Sequence, residues 1–165
     1  MHRQNYQDIL GLVQSPTRYA GNEINTVHKD LDQMDLTFAL VFPDLYEIGT
    51  SHFGLQILYS ILNREKNIAA ERFFTPAPDL EALMAQKNIP CLSMESKTPL
   101  AAFDIIGISL LYELNFTNIL TMFSSVRYFV FCTGPGPGIS FGHRGRSLCI
   151  QPRAAGGFFR CLCHR

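Results

Sequence analysis

Short apolar runs alternate along this chain with stretches whose apolar residues recur at helical spacing. Four runs predict strands, and they are residues 36–44, 69–76, 89–96 and 103–113. Four stretches predict helices, and they are residues 5–13, 53–66, 77–88 and 114–122. Strands that alternate with helices of about ten residues form right-handed βαβ units. The pattern therefore predicts an α/β fold with a parallel sheet and helices on both of its faces.

Two of the predicted helices carry expectations about their faces and ends. In the second helix, the apolar residues expected to share one buried face are Leu55, Leu58, Ile61 and Leu62. In the last helix, Asn115 or Thr117 is the expected N-cap, because both side chains can accept a hydrogen bond from a free backbone N–H.

The loops after the first and last predicted strands form the candidate binding edge of the sheet, since ligands of open parallel sheets bind at the carboxyl ends of strands. These loops are residues 44–54 and 111–115. Gly49, Ser51 and Gly54 would form a tight turn whose free N–H groups bind a phosphate or the polar edge of a cofactor. The alternative is that the glycines serve only close packing.

Two acids stand in corresponding places of these loops, each directly after a tyrosine. They are Glu47, which follows Tyr46, and Glu113. If the two carboxylates face each other across the binding edge, they suit acid–base chemistry. The alternative is that both are solvated loop side chains.

Charge is distributed unevenly over the 165 residues, although the formal net charge is +0. All acids lie at or before Glu113, so residues 1–122 carry −6 and residues 123–165 carry +6. Such an asymmetry is typical of a nucleic-acid-binding arm. The tail is also rich in Gly, Pro and Cys, a composition that a GC-rich gene yields when it is translated out of frame. Nucleic acid is therefore the less favoured partner.

The expected cellular compartment depends on three features that the sequence lacks, which are a secretory segment, a membrane-spanning run and an even set of cysteines. The start, "MHRQNYQDIL", has no apolar secretory segment, and no apolar run reaches the roughly 18 residues that span a bilayer. The five cysteines form no even framework, and "CLCH" at residues 161–164 lacks the second ligand pair of a structural zinc site. We expect a cytoplasmic, reduced protein without a membrane partner.

The segments "LVFPDLYEIGTSHFGLQILYSILNRE", "AERFFTPAPDLEALM" and "FDIIGISLLYELNFTNILTM" share a recognisable pattern, with Pro-Asp-x-Tyr-Glu-Ile-Gly and Tyr-Glu-Leu as its most specific parts. Together they resemble the N-terminal region of a family of large bacterial radical SAM proteins. The resemblance covers residues 8–122 and stops near Met122. It implies a Rossmann-like, cobalamin-binding-type domain that precedes a radical SAM barrel.

The tail can be encoded by codons that, in another reading frame, give the sequence expected next in the family. In the family, the helix is followed by a segment of the form "FPLVIAGGPCAFNPEPLADFFDA". Synonymous codons exist for residues 147–165 that read "PCAFNPEPLADFFDACVIG" when translation starts one nucleotide later. We infer a +1 frameshift near residues 122–124. The expected organisation is then a lead-in at 1–36, an incomplete Rossmann-like domain at 37–122, and an aberrant, poorly packed tail at 123–165.

The resemblance also implies cofactors, most of which this chain cannot hold alone. A radical SAM enzyme binds a [4Fe–4S] cluster and S-adenosylmethionine through Cys-x-x-x-Cys-x-x-Cys, and no such triplet occurs here. We therefore expect the chain to be inactive by itself, with the remainder of the protein as a separate partner chain. No residue is assigned as catalytic or as a metal ligand.

Cobalamin is the cofactor that the N-terminal region itself could bind. Base-off cobalamin binders resemble Asp-x-His-x-x-Gly followed by Ser-x-Leu, with a histidine that ligates cobalt. Here Gly54 follows His52 after two residues rather than three, and Thr50 stands where the acid would be, while Ser109 fits Ser-x-Leu. The alternative for His52 is a loop histidine bonded to backbone at a helix start. A free-standing module for cobalamin or a nucleotide stays open as a function.

Overall fold

A three-stranded parallel sheet forms the centre of the fold. The structure, a computed structural model, describes residues 2–124, 129–131, 139–143 and 146–150. The strands are β1 (Leu36–Phe42), β2 (Ile68–Phe74) and β3 (Ile105–Ile108), in the order β2-β1-β3. Both neighbouring pairs are parallel, so the carboxyl ends of the strands lie at one edge. This confirms the α/β, Rossmann-like fold class, with a sheet that is incomplete.

Five helices accompany the strands in the described part of the chain. They are α1 (His2–Leu10), α2 (Tyr46–Thr50), α3 (Phe53–Arg64), α4 (Pro78–Gln86) and α5 (Asn115–Ser124). A second, antiparallel sheet consists of β4 (Phe129–Phe131), β5 (Ile139–His143) and β6 (Arg146–Ile150). The remaining residues of the tail, including "CLCH", lie outside the described residues. No described helix is long and apolar enough to cross a membrane.

The two faces of the parallel sheet are covered by different helices, because successive side chains of a strand point to opposite sides. Ala39 and Val41 of β1 belong to a cluster with Ile119 and other residues of α5. Leu40 and Phe42 belong to a cluster with Leu55 and Tyr59 of α3. The apolar run of β1 is therefore buried on both sides, as a central parallel strand requires.

The buried face of α3 differs from the predicted one at a single position. Leu55 is buried, as predicted, but Ile61 is 52% exposed. At about 100° per residue, Ile61 lies about 120° away from Leu55 around the helix. Asn63 is buried in its place, and its side-chain amide accepts from the N–H of Ala70 at 3.0 Å and donates to the C=O of Ala70 at 2.9 Å. A polar residue therefore fastens α3 to β2.

The prediction of a strand at 89–96 is wrong, and the parallel sheet has three strands rather than four. The segment turns back on itself, with the N–H of Ser93 bonded to the C=O of Thr98 at 3.0 Å and Lys97 at φ 59°. The N–H of Met94 bonds to the C=O of Arg72 at 2.8 Å, so the segment lies beside β2. A tight turn with side-chain hydrogen bonds thus replaces a regular ladder.

The N-terminal residues share a core with the rest of the fold. Tyr6, Ile9 and Val13 pack in one cluster with Leu80 and Met84 of α4.

The loop that follows approaches residues 89–98 closely at Gly21, which has φ +71°. A Cβ at Gly21 would lie 1.9 Å from the carbonyl oxygen of Met94, so only glycine fits this contact. The domain boundary at residue 36 stays a prediction, although residues on both sides of it are packed together.

Candidate functional site at the carboxyl edge of the sheet

The carboxyl edge of the sheet is bound together by contacts between the segments that follow β1, β2 and β3. The N–H of Thr75, after β2, donates to the C=O of Asp44, after β1, at 2.9 Å. The side-chain amide of Asn118, in α5, donates to the C=O of Pro43 at 2.9 Å. The edge is therefore a fixed surface, as a binding site requires.

The prediction of a loop at 44–54 is wrong for part of this segment, because residues 46–50 form the short helix α2. The amide of Gly49 donates to the C=O of Leu45 at 3.0 Å within this helix. A Cβ at Gly49 would lie 2.3 Å from the ring of Phe74. The structure thus gives Gly49 a packing reason to be glycine, and its N–H is already bonded.

Ser51 and Gly54 are likewise engaged with their own surroundings. The hydroxyl of Ser51 donates to the carbonyl oxygens of Glu47 and Ile48, each at 2.9 Å. A Cβ at Gly54 would lie 2.9 Å from Cε1 of His52. These contacts hold the joint between α2 and α3, and they favour packing over an open phosphate-binding turn.

Tyr46 and Glu47 bind residues of the N-terminal segment. The hydroxyl of Tyr46 donates to Oε1 of Glu23 at 2.6 Å. Burial, together with this hydrogen bond to a carboxylate, raises the pKa of Tyr46 to about 12. Glu47 forms an ion pair with Arg18. Both side chains therefore connect the edge of the sheet to residues that precede β1.

The expected pairing of Glu47 with Glu113 has no support in the contacts of the described residues. Glu113 is exposed, and its backbone C=O accepts from the N–H of Phe116 at 3.2 Å in the turn that leads into α5. Glu47 pairs with Arg18 instead, and a pairing of the two acids across the edge stays a prediction.

His52 is the N-cap of α3. Its Nδ1 accepts a hydrogen bond from the N–H of Leu55 at 3.2 Å, and its ring lies 5.1 Å from that of Phe42. A neutral imidazole that accepts at Nδ1 carries its proton on Nε2, and a protonated Nε2 has no lone pair for a metal. His52 therefore does not fit the role of a cobalt ligand, and it has the geometry of a capping residue.

Ser109 and Asn115 lie where β3 passes into α5. The N–H of Ser109 donates to the C=O of Val41 at 2.9 Å, which extends the pairing of β3 with β1. Asn115 is 5% exposed, and its side-chain nitrogen has no hydrogen-bond partner. From the sequence, Asn115 is expected only as a helix cap. In the structure its buried side-chain N–H groups are donors that a bound molecule at this edge could use.

A second polar cluster lies on β2 and was missed at the sequence level. Arg72 is buried, and its Nε donates to Oε1 of Glu95 at 2.7 Å while its Nη1 donates to Oε2 of Glu23 at 2.7 Å. The guanidinium lies 4.7 Å from the ring centre of Tyr59. The available signal was "ER" inside the apolar run "IAAERFF", since charges in a buried strand must be paired.

The two acids of this cluster respond differently to their surroundings. Burial raises the pKa of Glu95 above its ordinary value, although Arg72 opposes the shift. Burial would also raise the pKa of Glu23, but hydrogen bonds from Tyr46 and Arg72 outweigh it, and the pKa is lowered. Glu23 is therefore the more firmly ionised partner of Arg72.

Metal and thiol chemistry find little support in the described part of the chain. No group of three or more His, Cys, Asp or Glu side chains is placed there to hold a metal ion. Cys91 is buried, and burial raises the pKa of its thiol to about 12, so it is unreactive at neutral pH.

Comparison with known proteins supports the family over part of the chain. Residues 54–129 match the family model for radical SAM proteins, N-terminal. No curated protein and no solved structure matches the chain significantly. The matched residues include β2, α4, β3 and α5, and thus two strands of the sheet. Resemblance to the radical SAM family is therefore supported, while cobalamin binding and bacterial origin stay predictions.

Proposed function

We propose that this chain is the N-terminal scaffold of a radical SAM protein and that its 165 residues do not include the catalytic barrel. The observation that carries the proposal is the family match over residues 54–129, which falls on a parallel α/β sheet. The proposal assigns no catalytic residue to the scaffold. Its role is to present the carboxyl edge of the sheet, with Asn115 and the residues around His52, to the remainder of the protein.

The incomplete sheet supports a break in the reading frame. β3 is an edge strand among the described residues. A Cβ added at Gly107, on β3, would make only ordinary van der Waals contacts, the nearest at 3.8 Å. The family text "FPLVIAGGP" is rich in β-forming residues and would supply a further strand beside β3. The antiparallel strands β4, β5 and β6 pair with one another in a separate sheet.

The [4Fe–4S] cluster and S-adenosylmethionine belong to the missing part. No Cys-x-x-x-Cys-x-x-Cys occurs in the 165 residues, so the proposal places the cluster in the remainder of the protein. Cobalamin, if it binds, would have to do so without cobalt ligation by His52. The scaffold would then contribute backbone and amide contacts at the carboxyl edge rather than a metal ligand.

The DNA and its transcript provide the direct experiment. We expect the codons from Phe123 onward to encode the family text one nucleotide later, with a cysteine triplet downstream in that frame. Codons that cannot yield this text would refute the frameshift.

A protein-level experiment tests the scaffold itself. A frame-restored chain, identical through Met122, is compared with the present chain by urea unfolding and by binding of a dye specific for exposed apolar surface. We expect the restored chain to show a larger m-value and less dye binding, because it buries the open side of β3. Equal values in the two chains would contradict the proposal.

The other functions are resolved by two titrations of the present chain. Saturable changes in the cobalamin absorption spectrum would favour a free-standing cofactor module. Salt-dependent retention of RNA that disappears when residues 123–165 are removed would favour a nucleic-acid-binding protein. We expect neither.

A further inference from the structure

An open cleft of about 860 Å³ lies between the N-terminal segment, α3 and β2. It adjoins the carboxyl-edge site, because Glu23 in its lining accepts from the hydroxyl of Tyr46, but its ligand does not depend on the proposed function. The residues that line it are Asn22, Glu23, Ile24, Asn25, Thr26, Val27, Gln56, Ser60 and Arg72. Its volume is within the range of small-molecule sites.

Arg72 is held at this cleft by two ion pairs, and one of its guanidinium nitrogens has no hydrogen-bond partner. Its Nε and Nη1 are bonded to Glu95 and Glu23, and Tyr59 lies against the guanidinium. Nη2 is buried and has no hydrogen-bond partner, while the side chain as a whole is 7% exposed. A buried guanidinium N–H without a protein acceptor is costly, so an acceptor from a ligand or a water in the cleft would stabilise it.

Thr26 supplies a second unpartnered polar atom. Its Oγ1 is buried and has no hydrogen-bond partner, and Thr26 also lines the cleft. A hydroxyl can donate or accept, whereas a guanidinium nitrogen can only donate. A ligand that satisfies both needs an acceptor for Arg72 and either a donor or an acceptor for Thr26.

The charges around the cleft restrict the ligand further. Arg72 carries one positive charge, and Glu23 and Glu95 bring two carboxylates to it. An anion would therefore meet a net negative environment around an arginine that is already neutralised. The rest of the lining is uncharged, with the amides of Asn22, Asn25 and Gln56 among it.

We propose that this cleft binds an uncharged amide, which accepts from Arg72 Nη2 through its carbonyl oxygen and donates its N–H to Thr26 Oγ1. An amide offers one acceptor, which Nη2 can bind, and one donor, which Oγ1 can bind. The side-chain amides of the lining extend the same chemistry to further amide groups of a larger ligand. The site is thus suited to amide-bearing small molecules or to the backbone of a short peptide.

The experiment uses the full chain, labelled with ¹⁵N and with ¹³C in threonine methyl groups. The probe is acetamide, and its matched control is acetate, which replaces the amide by a carboxylate and contains no amide of its own. We expect saturable shifts of the Thr26 methyl and the Arg72 Nε–H signals with the amide, with a dissociation constant on the order of millimolar for so small a probe. We expect markedly weaker binding of the carboxylate.

The variant Thr26→Val keeps the shape of the side chain and removes the hydroxyl. It should weaken amide binding roughly 2- to 12-fold, the loss of one hydrogen bond. Thr117→Val is the control, because Thr117 is exposed on α5, which covers the other face of the sheet, and its hydroxyl bonds to the C=O of Leu114 at 3.0 Å. The amide spectrum away from residue 26 reports whether the variant is folded.

Three results would overturn the proposal. They are the absence of saturable shifts with the amide, equal affinity for the amide and the carboxylate, and unchanged affinity in a folded Thr26→Val variant. The first would mean that water alone satisfies Nη2 and Oγ1. The second would mean that the cleft selects no amide, and the third that Thr26 takes no part in binding.

Discussion

Arg72 Nε and Glu95 Oε1 lie 2.7 Å apart in the interior, and a second oxygen of the same carboxylate accepts from the backbone N–H of Arg72 at 2.8 Å. The contact joins β2 to the segment at 89–96, which does not form a strand of its own. Backbone pairing beside β2 is sparse there, so a carboxylate completes the hydrogen bonds of the strand edge. The pair thus fixes the position of the whole segment.

Replacement of Glu95 by Gln should lower the free energy of unfolding by about 1.5–3 kcal/mol, because a neutral amide offers one acceptor where the carboxylate offers two to a charged partner. Urea unfolding followed by circular dichroism measures the change. The control is Glu47→Gln, which breaks the exposed pair with Arg18 and should cost at most about 1 kcal/mol. Equal losses in the two variants would show that the buried pair contributes no more to the free energy of unfolding than the exposed pair does.

The glycine at position 49 can be tested by adding one methyl group. Gly49→Ala would place a Cβ 2.3 Å from the buried Phe74 ring, so we expect a loss of about 1–3 kcal/mol in the free energy of unfolding. Gly107→Ala is the matched control, since its nearest contact would be an ordinary 3.8 Å. If Gly49→Ala left stability unchanged, close packing would not explain the glycine.

The strands and helices whose apolar patterns are long could be predicted from the sequence, and those stabilised by side chains could not. The run at 36–44 became β1 because an apolar β-rich stretch has few other ways to be buried. The segment at 89–96 has a similar composition, but hydroxyl and carboxylate contacts bend it, and the partner of each contact lies far away in sequence. Glu95 with Arg72 is one such contact.

In the candidate site, too, the location could be predicted from the sequence and the roles of the residues could not. The edge of the sheet that carries it followed from the order of strands and helices. The roles of its residues depended on partners from the N-terminal segment, such as Glu23 for Tyr46 and Arg18 for Glu47. A pattern within one segment carries no information about these partners. Residues 20–30, which have no apolar periodicity, were for that reason overlooked as the wall of a cleft.

Alkaline pH should weaken the fold through the buried Tyr59 and the partly buried Tyr46. The pKa values of Tyr46 and Tyr59 are raised from the ordinary 10.0 to about 12, chiefly by burial. Because the folded-state pKa is the higher one, their stabilising contribution is complete below pH 10 and is lost as the pH rises through about 12.

Phenolate absorbance near 295 nm, recorded alongside circular dichroism, measures this behaviour. We expect part of the tyrosine titration to appear only near pH 12, together with unfolding, and Tyr46→Phe to remove one such phenolate. If all tyrosines ionised near pH 10 while the protein stayed folded, the burial of these hydroxyls would be contradicted.

His52 should act through its ring nitrogen as a cap and not as a metal ligand. His52→Ala removes the acceptor for the N–H of Leu55 and should lower the free energy of unfolding by about 0.5–2 kcal/mol. His52→Ser should restore most of that loss, because a serine hydroxyl also caps a helix, whereas it does not ligate cobalt. Thermal unfolding of the three proteins measures stability, and cobalamin absorption spectra recorded on the same samples measure ligation. A histidine-dependent change in the cobalamin spectrum that serine cannot reproduce would show that Nε2 is free to bind metal, and the tautomer inferred from the cap would then be wrong.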